Sequence, residues 1–573
     1  MLGDDIFLCG GRRKLKRLNL ALAFILLGIL AWLLRVSSWI GFSPVKGKYT
    51  PGVDFVGFYT ITHGRMPTLL EATTYTSNLA NGMIYIGEYA RALLNVPLLL
   101  VTGNGTLRDG LVFYATVPWP GVLVLPITIL LGVHAIVLAA RARGLAVNNK
   151  QIYLLTYGLA VLGFPSLILF TTSSAIMDYF GWIFVGLLFY ILVRQRTMKS
   201  ARLRFTAMAV IFLFDLQIYH HTTSLFAALM IAGVFLFQYY ARPRIRIIGP
   251  SFFVLYGVLL MSFILYLTLA LGGYRLALAE SLGTLANGIL GVGHDNPLAG
   301  IQTSNEYAAD RILVRLVDVS LIVTVLLAIT LRVLSRKSTD PTAVTVAGLT
   351  IGMTAAAIFV IGWGGFGNFF VRISAISAVV SILGLGWLLI HSSERGRRSL
   401  LALSLAVIFV SPVAFAESHA SSQLDLYESE STAMAWVGTR VPHTSTVFSD
   451  SRLASPLIYY GIRTPIGFED EGLAAQNPLV LSNIYYSFFR PTGSDSPPHA
   501  ICLIDKLYNT SVQYAVYSQY FASDNTGVVG YANTYEPASE GAIAHLRNTT
   551  SFQLVYSSGS TSVFFVSDRT KAC

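Results

Sequence analysis

The apolar residues of this chain fall in blocks of about 20, and that spacing decides the solvent in which most of it folds. A helix rises about 1.5 Å per residue, so a block of that length crosses a hydrocarbon core of roughly 30 Å. Composition agrees: of 573 residues, 54% are hydrophobic and 12% charged, against about a quarter charged in soluble domains. A soluble α/β protein would break its apolar runs with polar residues every few positions, which excludes that class.

Basic clusters punctuate the blocks. They are Arg12, Arg13, Lys14, Lys16 and Arg17; Arg141 and Arg143; Arg194, Arg196, Lys199, Arg202 and Arg204; Arg242, Arg244 and Arg246; Arg336 and Lys337; and Arg395, Arg397 and Arg398. Threading the chain back and forth across a bilayer puts all of them on one side, which the bias of Lys and Arg identifies as the cytoplasm. The net charge of +11 is therefore topological. With no continuous basic stripe, nucleic acid is excluded as a partner. The expected fold is a polytopic α-helical membrane protein of about eleven transmembrane helices, N-in and C-out, with a C-terminal extracytoplasmic α/β domain. The first block, 18–40, follows its basic run as a signal peptide would. It is long and lacks a small-residue cleavage site, so it reads as a retained anchor.

Three regions follow: a cytoplasmic N-terminus over 1–17, a transmembrane domain over 18–417 with a long first outer loop at 41–110, and the outer domain over 418–573. Within the loop, 74–100 mixes Glu88 and Arg91 with Ile84, Ile86, Leu93 and Leu94, the pattern of a helix lying in the interface. The outer domain should hold strands near 445–449, 512–516, 552–556 and 562–566. Ser557-Ser558-Gly559-Ser560 would turn the last pair into a hairpin, and a helix should run from Glu428 through Trp436. Cys502 and Cys573 share that domain and could pair in an oxidising compartment. The sequons at Asn104, Asn509 and Asn548 all fall on the outer side, which permits glycosylation.

Candidate chemistry gathers at the outer ends of the spans. Asp54 lies in Tyr49-Thr50-Pro51-Gly52-Val53-Asp54-Phe55, ahead of His63 and Glu71. Asp178 closes the turn between the third and fourth spans, and His220-His221 the turn between the fifth and sixth. Arg372 follows the glycine-rich turn Gly362-Trp363-Gly364-Gly365-Phe366-Gly367-Asn368. A carboxylate can serve as a general base or hold a metal, and an arginine can grip a phosphate through two parallel hydrogen bonds. Each residue also has a plainer reading, as a helix cap, a polar turn residue or a headgroup contact.

An aspartate soon after the first span, a long first outer loop and a C-terminal outer domain together resemble the GT-C class of polyprenyl-phosphate-dependent membrane glycosyltransferases. The resemblance implies an enzyme of the cell membrane that moves a sugar from a lipid-linked donor to an envelope glycan or glycoprotein acceptor on the outer face. It implies Asp54 as catalytic base or metal-orienting group, with His220 or His221 and Arg372 near the donor phosphate and His63, Asp178 and Glu71 in support. A divalent cation, Mg or Mn, would be the cofactor, and membrane lipids the surroundings. Asp54 stands alone where many members of the class carry paired acidic residues. Two other readings therefore stay open: a flippase or secondary transporter with an extracytoplasmic cap, and a non-catalytic GT-C-like envelope assembly protein.

Overall fold

The computed structural model describes residues 21–35, 65, 68, 120–170, 178–197, 202–219, 221–241, 246–270, 310–334, 340–362, 366–420, 428–449, 453, 457, 462, 464, 484, 487–491, 496–508, 510–522, 528–529, 535–536, 539 and 541–567. The chain divides into two compact units, with one boundary between Ser421 and Ser422.

The first unit is helical. Its described elements are α1 (Ala21–Arg35), α2 (Leu125–Arg141), α3 (Asn149–Leu162), α4 (Pro165–Phe170), α5 (Asp178–Thr197), α6 (Arg202–Tyr219) and α7 (His221–Ala241). Then come α8 (Pro250–Ala270, of which the residues to Ser262 belong to this unit), α9 (Asp310–Leu334), α10 (Pro341–Gly362), α11 (Phe366–His391) and α12 (Glu394–Ala420). Three described stretches, Gly121–Arg141, Ile373–His391 and Glu394–Ala414, are long and apolar enough to cross a membrane by length and composition. Their burial differs: 94% of the α11 window is inside the protein, against 28% of the α12 window. Accordingly, α11 is the central post, packed by α2, α3, α5, α9, α10 and α12. The outward side of α12 shows Phe409 and Val413, as a face turned to lipid should.

Glycines let the helices approach closely. Gly348 and Gly352 on α10 meet Gly233 on α7, where a side chain at Gly233 would run into the Gly348 carbonyl and lie 2.6 Å from the Gly352 nitrogen. Small residues four apart are how helices pack in lipid, where no hydrophobic drive separates helix from acyl chain. Gly132 of α2 and Gly186 of α5 make a second such seam, with an added carbon on Gly186 falling 2.8 Å from the Thr128 carbonyl oxygen.

The third predicted span, a single helix over about 152–170, is instead two pieces. Pro165 lacks an N–H and sits at the first position of α4, so the helix breaks at Gly163 and Phe164.

The second unit has a four-stranded sheet built from β1 (Thr446–Phe448), β2 (Val512–Ser518), β5 (Phe552–Ser557) and β6 (Thr561–Val566) in the order β1-β2-β6-β5, while β3 (Val528–Val529) pairs with β4 (Tyr535–Glu536). The first two strands are parallel and the other pairings antiparallel, with α13 (Glu428–Arg440), α14 (Ser496–Tyr508) and α15 (Ala542–Asn548) around them. The β5–β6 turn uses Gly559 at φ 76°, a left-handed conformation open to glycine. Phe448, Phe488, Phe489, Phe552 and Phe564 fill the core. Tyr517 is buried there too, which pushes its pKa up to about 12. Cys502 on α14 is disulfide-bonded, whereas Cys573 lies outside the described residues, as does the predicted interfacial helix over 74–100.

Replacing Gly233 with leucine should overpack the α7–α10 seam and lower stability by about 1–3 kcal/mol or more. Gly257→Ala on α8, where an added carbon meets nothing within 4 Å, should leave it unchanged or slightly raised. Thermal unfolding of the two variants in one detergent checks the contrast.

Candidate functional site

Contacts within the helical unit define its two ends. Asp340, just before α10, touches Trp387 and His391 at the end of α11, so those helices are antiparallel. Arg332 near the end of α9 donates to the His391 carbonyl oxygen, so α9 and α11 run together. On α7, Met230 lies beside Gly352 and Val234 beside Gly348, which makes α7 antiparallel to α10. Gly132 of α2 meets Gly186 and Phe189 of α5, and Gly186 meets Thr128, so α2 and α5 are parallel. One end therefore collects the close of α2, α5, α7, α9 and α11 with the start of α10 and α12. It holds Arg141, Arg143, Arg194, Arg332, Arg395, Arg397 and Arg398.

The opposite end carries the starts of α5, α7 and α11. Asp178 is the first residue of α5, His221 the first of α7, and Arg372 lies on the N-terminal part of α11. Three predicted site residues thus stand on helices that begin at the same end of one unit, although the sequence separates them by long intervals. Asp54, His63, Glu71 and His220 lie outside the described residues. Among the described residues, no group of three His, Cys, Asp or Glu side chains stands together.

The same end holds a residue the sequence reading passed over. Arg35 closes α1, is fully buried, and donates through Nη1 to the carbonyl oxygens of Ala31 at 3.1 Å and Val161 at 2.9 Å. The second bond has a chemical cause. In a continuous helix the Val161 carbonyl would accept from residue 165, but Pro165 has no N–H to give. The guanidinium of α1 fills that place. Two residues on, Ser411 of α12 donates to the Gly163 carbonyl oxygen at 2.8 Å. A charge within the first apolar block, and a proline within the third, were the available signals.

At the basic end, Asp340 is the hub. It is 3% exposed. Its Oδ1 accepts from Arg143 Nη2 at 2.6 Å and from the Thr342 backbone N–H at 2.9 Å, and its Oδ2 accepts from Trp387 Nε1 at 2.7 Å. The Thr342 bond is an N-cap, with Pro341 pre-shaped for the first helical position. His391 stacks on Trp387 with ring centroids 4.3 Å apart, and Arg332 lies over the same indole. Burial pushes the Asp340 carboxyl up, and the bonds from Arg143, Thr342 and Trp387 outweigh it, holding the pKa below its ordinary value. Asp340-Pro341 was legible as a helix start, but its burial was not.

No known family's sequence pattern and no curated protein matches this chain. Solved folds do. The oligosaccharyltransferase of Archaeoglobus fulgidus in the apo form gives a TM-score of 0.52 at 14% identity, over 87% of this chain and 70% of that one. The same protein in complex with Zn and sulfate gives 0.51 at 15% identity, over 87% and 68%. ArnT from Cupriavidus metallidurans in the apo state gives 0.48 at 11% identity, over 96% and 98%. The chain has a GT-C-like fold. At these identities the likeness is one of fold.

Two outcomes test these clusters. Arg35→Leu should lose about 1–3 kcal/mol by stranding the Val161 carbonyl, and adding Pro165→Ala should recover part of it, read by thermal unfolding. Asp340 is charged more readily folded than unfolded. Its contribution is therefore present above the unfolded carboxyl pKa of about 3.9 and is lost as pH falls through the lower folded value. Asp340→Asn should cost about 3 kcal/mol at neutral pH, the low end for a buried pair because Arg143 keeps solvent contact. The gap from the parent should close below about pH 4 in a pH series of unfolding midpoints.

Proposed function

We propose that this chain is a GT-C-type membrane glycosyltransferase that moves a sugar from a polyprenyl-phosphate donor to an envelope glycan or glycoprotein acceptor. The observation that carries the reading is the GT-C-like fold with Asp178, His221 and Arg372 on helices starting at one end, opposite the basic end. By the bias of basic residues the Arg-rich end faces the cytoplasm, so the reaction takes place on the outer face of the cell membrane. About eleven spans over 18–417 with the loop 41–110, the N-terminal 1–17 inside and the α/β domain 418–573 outside complete the arrangement.

Asp54 is the base that takes the acceptor proton, or the group that orients a divalent cation. Arg372 and His220 or His221 hold the donor phosphate, with His63, Asp178 and Glu71 in support. Mg or Mn is the expected cation, since both take oxygen ligands from carboxylates and phosphates. When bound it would neutralise charge on the leaving phosphate. The Archaeoglobus fulgidus protein, seen with Zn and sulfate and with an acceptor peptide containing the NVT sequon, makes a cation and a large acceptor reasonable here.

The test is transfer from a radiolabelled polyprenyl-phosphate sugar by purified protein in liposomes. Asp54→Asn should lower kcat by about 10²–10⁴-fold, while Arg372→Lys should chiefly raise the donor KM, a bidentate grip being lost. Chelation should stop turnover and Mg or Mn restore it. Full activity of Asp54→Asn would remove that residue from the chemistry. Movement of the intact lipid-linked sugar across the bilayer without transfer would establish the transporter instead.

A further inference from the structure

The basic end holds a feature that sugar transfer does not use. A shallow groove runs between the start of α3 and the junction of α11 and α12, lined by Val147, Gln151, Ile152, Ile390, Arg397 and Leu401 among others. Aliphatic side chains line much of it, beside the polar Asn148 and Gln151 and one cation, Arg397. Lys150, Arg395, Arg397 and Arg398 flank it in sequence and are all exposed, as is Arg141 at the end of α2.

Acids do not balance these charges. Asp340 is taken by Arg143 and Glu394 by Arg398. Arg141, Lys150, Arg395 and Arg397 make no ion pair with a described acid. The groove also sits where apolar helices end, lined by the buried Leu389, the half-buried Leu401 and the exposed Arg397. A ligand matching both parts needs an anionic head and a hydrocarbon tail.

We propose that this groove binds an anionic phospholipid of the surrounding leaflet, its phosphate on the Arg397 guanidinium and an acyl chain along Ile152, Ile390 and Leu401. Charge complementarity at the end of a bundle of apolar helices favours a lipid over a soluble phosphate, which would leave the groove's Ile390 and Leu401 wet. The site rests on the helical unit lying in a membrane and is independent of sugar transfer. A protein inactive in transfer can still satisfy the test, and an active one can fail it.

Native mass spectrometry of the full chain, titrated with phosphatidylglycerol or phosphatidylcholine, reads the binding directly. The parent should retain phosphatidylglycerol more tightly. Arg397→Gln should weaken that binding about fivefold, the effect of one basic contact. Ala146→Phe, which fills the groove and changes no charge, should weaken it comparably. Arg204→Gln removes an exposed cation from the start of α6, off the groove, and should change it little. Equal loss from Arg397→Gln and Arg204→Gln would reduce the effect to bulk charge and overturn the site. So would unchanged binding by Ala146→Phe, or no preference for the anionic lipid in the parent.

Discussion

A backbone N–H or carbonyl in hydrocarbon has no water to turn to, and at three interruptions among the described helices a side chain supplies the missing partner. At Pro165 the break strands carbonyls of α3, which Arg35 from α1 and Ser411 from α12 satisfy. Before α8 the buried amide of Gln238 accepts from the N–H groups of Ile247 and Ile248 and donates to the Ile248 carbonyl. At α10, Asp340 caps the first turn while also holding Arg143 and Trp387. Arg35 and Ser411 reach their carbonyls from other segments, and Asp340 ties its own helix start to Arg143 and Trp387, so these bonds also fix how segments are arranged.

Those ties give the unit two unlike ends. One is dense with arginine and built on a neutralised buried carboxylate. The other gathers the starts of three helices and the buried guanidinium of Arg35. Close glycine seams between α7 and α10, and between α2 and α5, hold the helices that join the ends. Between the ends α11 stands as a post buried along almost its whole apolar window.

Much of this was legible residue by residue. The strands and hairpin of the C-terminal unit follow from alternating β-branched and aromatic residues around Gly559, and the structure carries strands at all four expected places. Apolar helices occupy the expected blocks for the same reason, since hydrophobic periodicity is a local signal. The third span departed from expectation because a proline at position 165 weighs more locally than the apolar character around it. Asp340 and Arg35 were missed because their importance lies in partners distant in sequence. Arg143 is 197 residues from Asp340, and Val161 is 126 from Arg35.

The sequence by itself determined the solvent, the helical class and the bias of basic residues, because hydrophobicity and charge act through each residue's own transfer free energy. The tertiary structure then showed, through contacts between helices, that Asp178, His221 and Arg372 stand on helices starting at one end, where the threading of the basic clusters had already put them. It alone showed that Arg35 completes the broken α3 and that Asp340 is buried among Arg143, Trp387 and His391. Those outcomes depend on helix direction and on which glycines allow backbones to touch, and such geometry is written in pairs of residues rather than in any one of them.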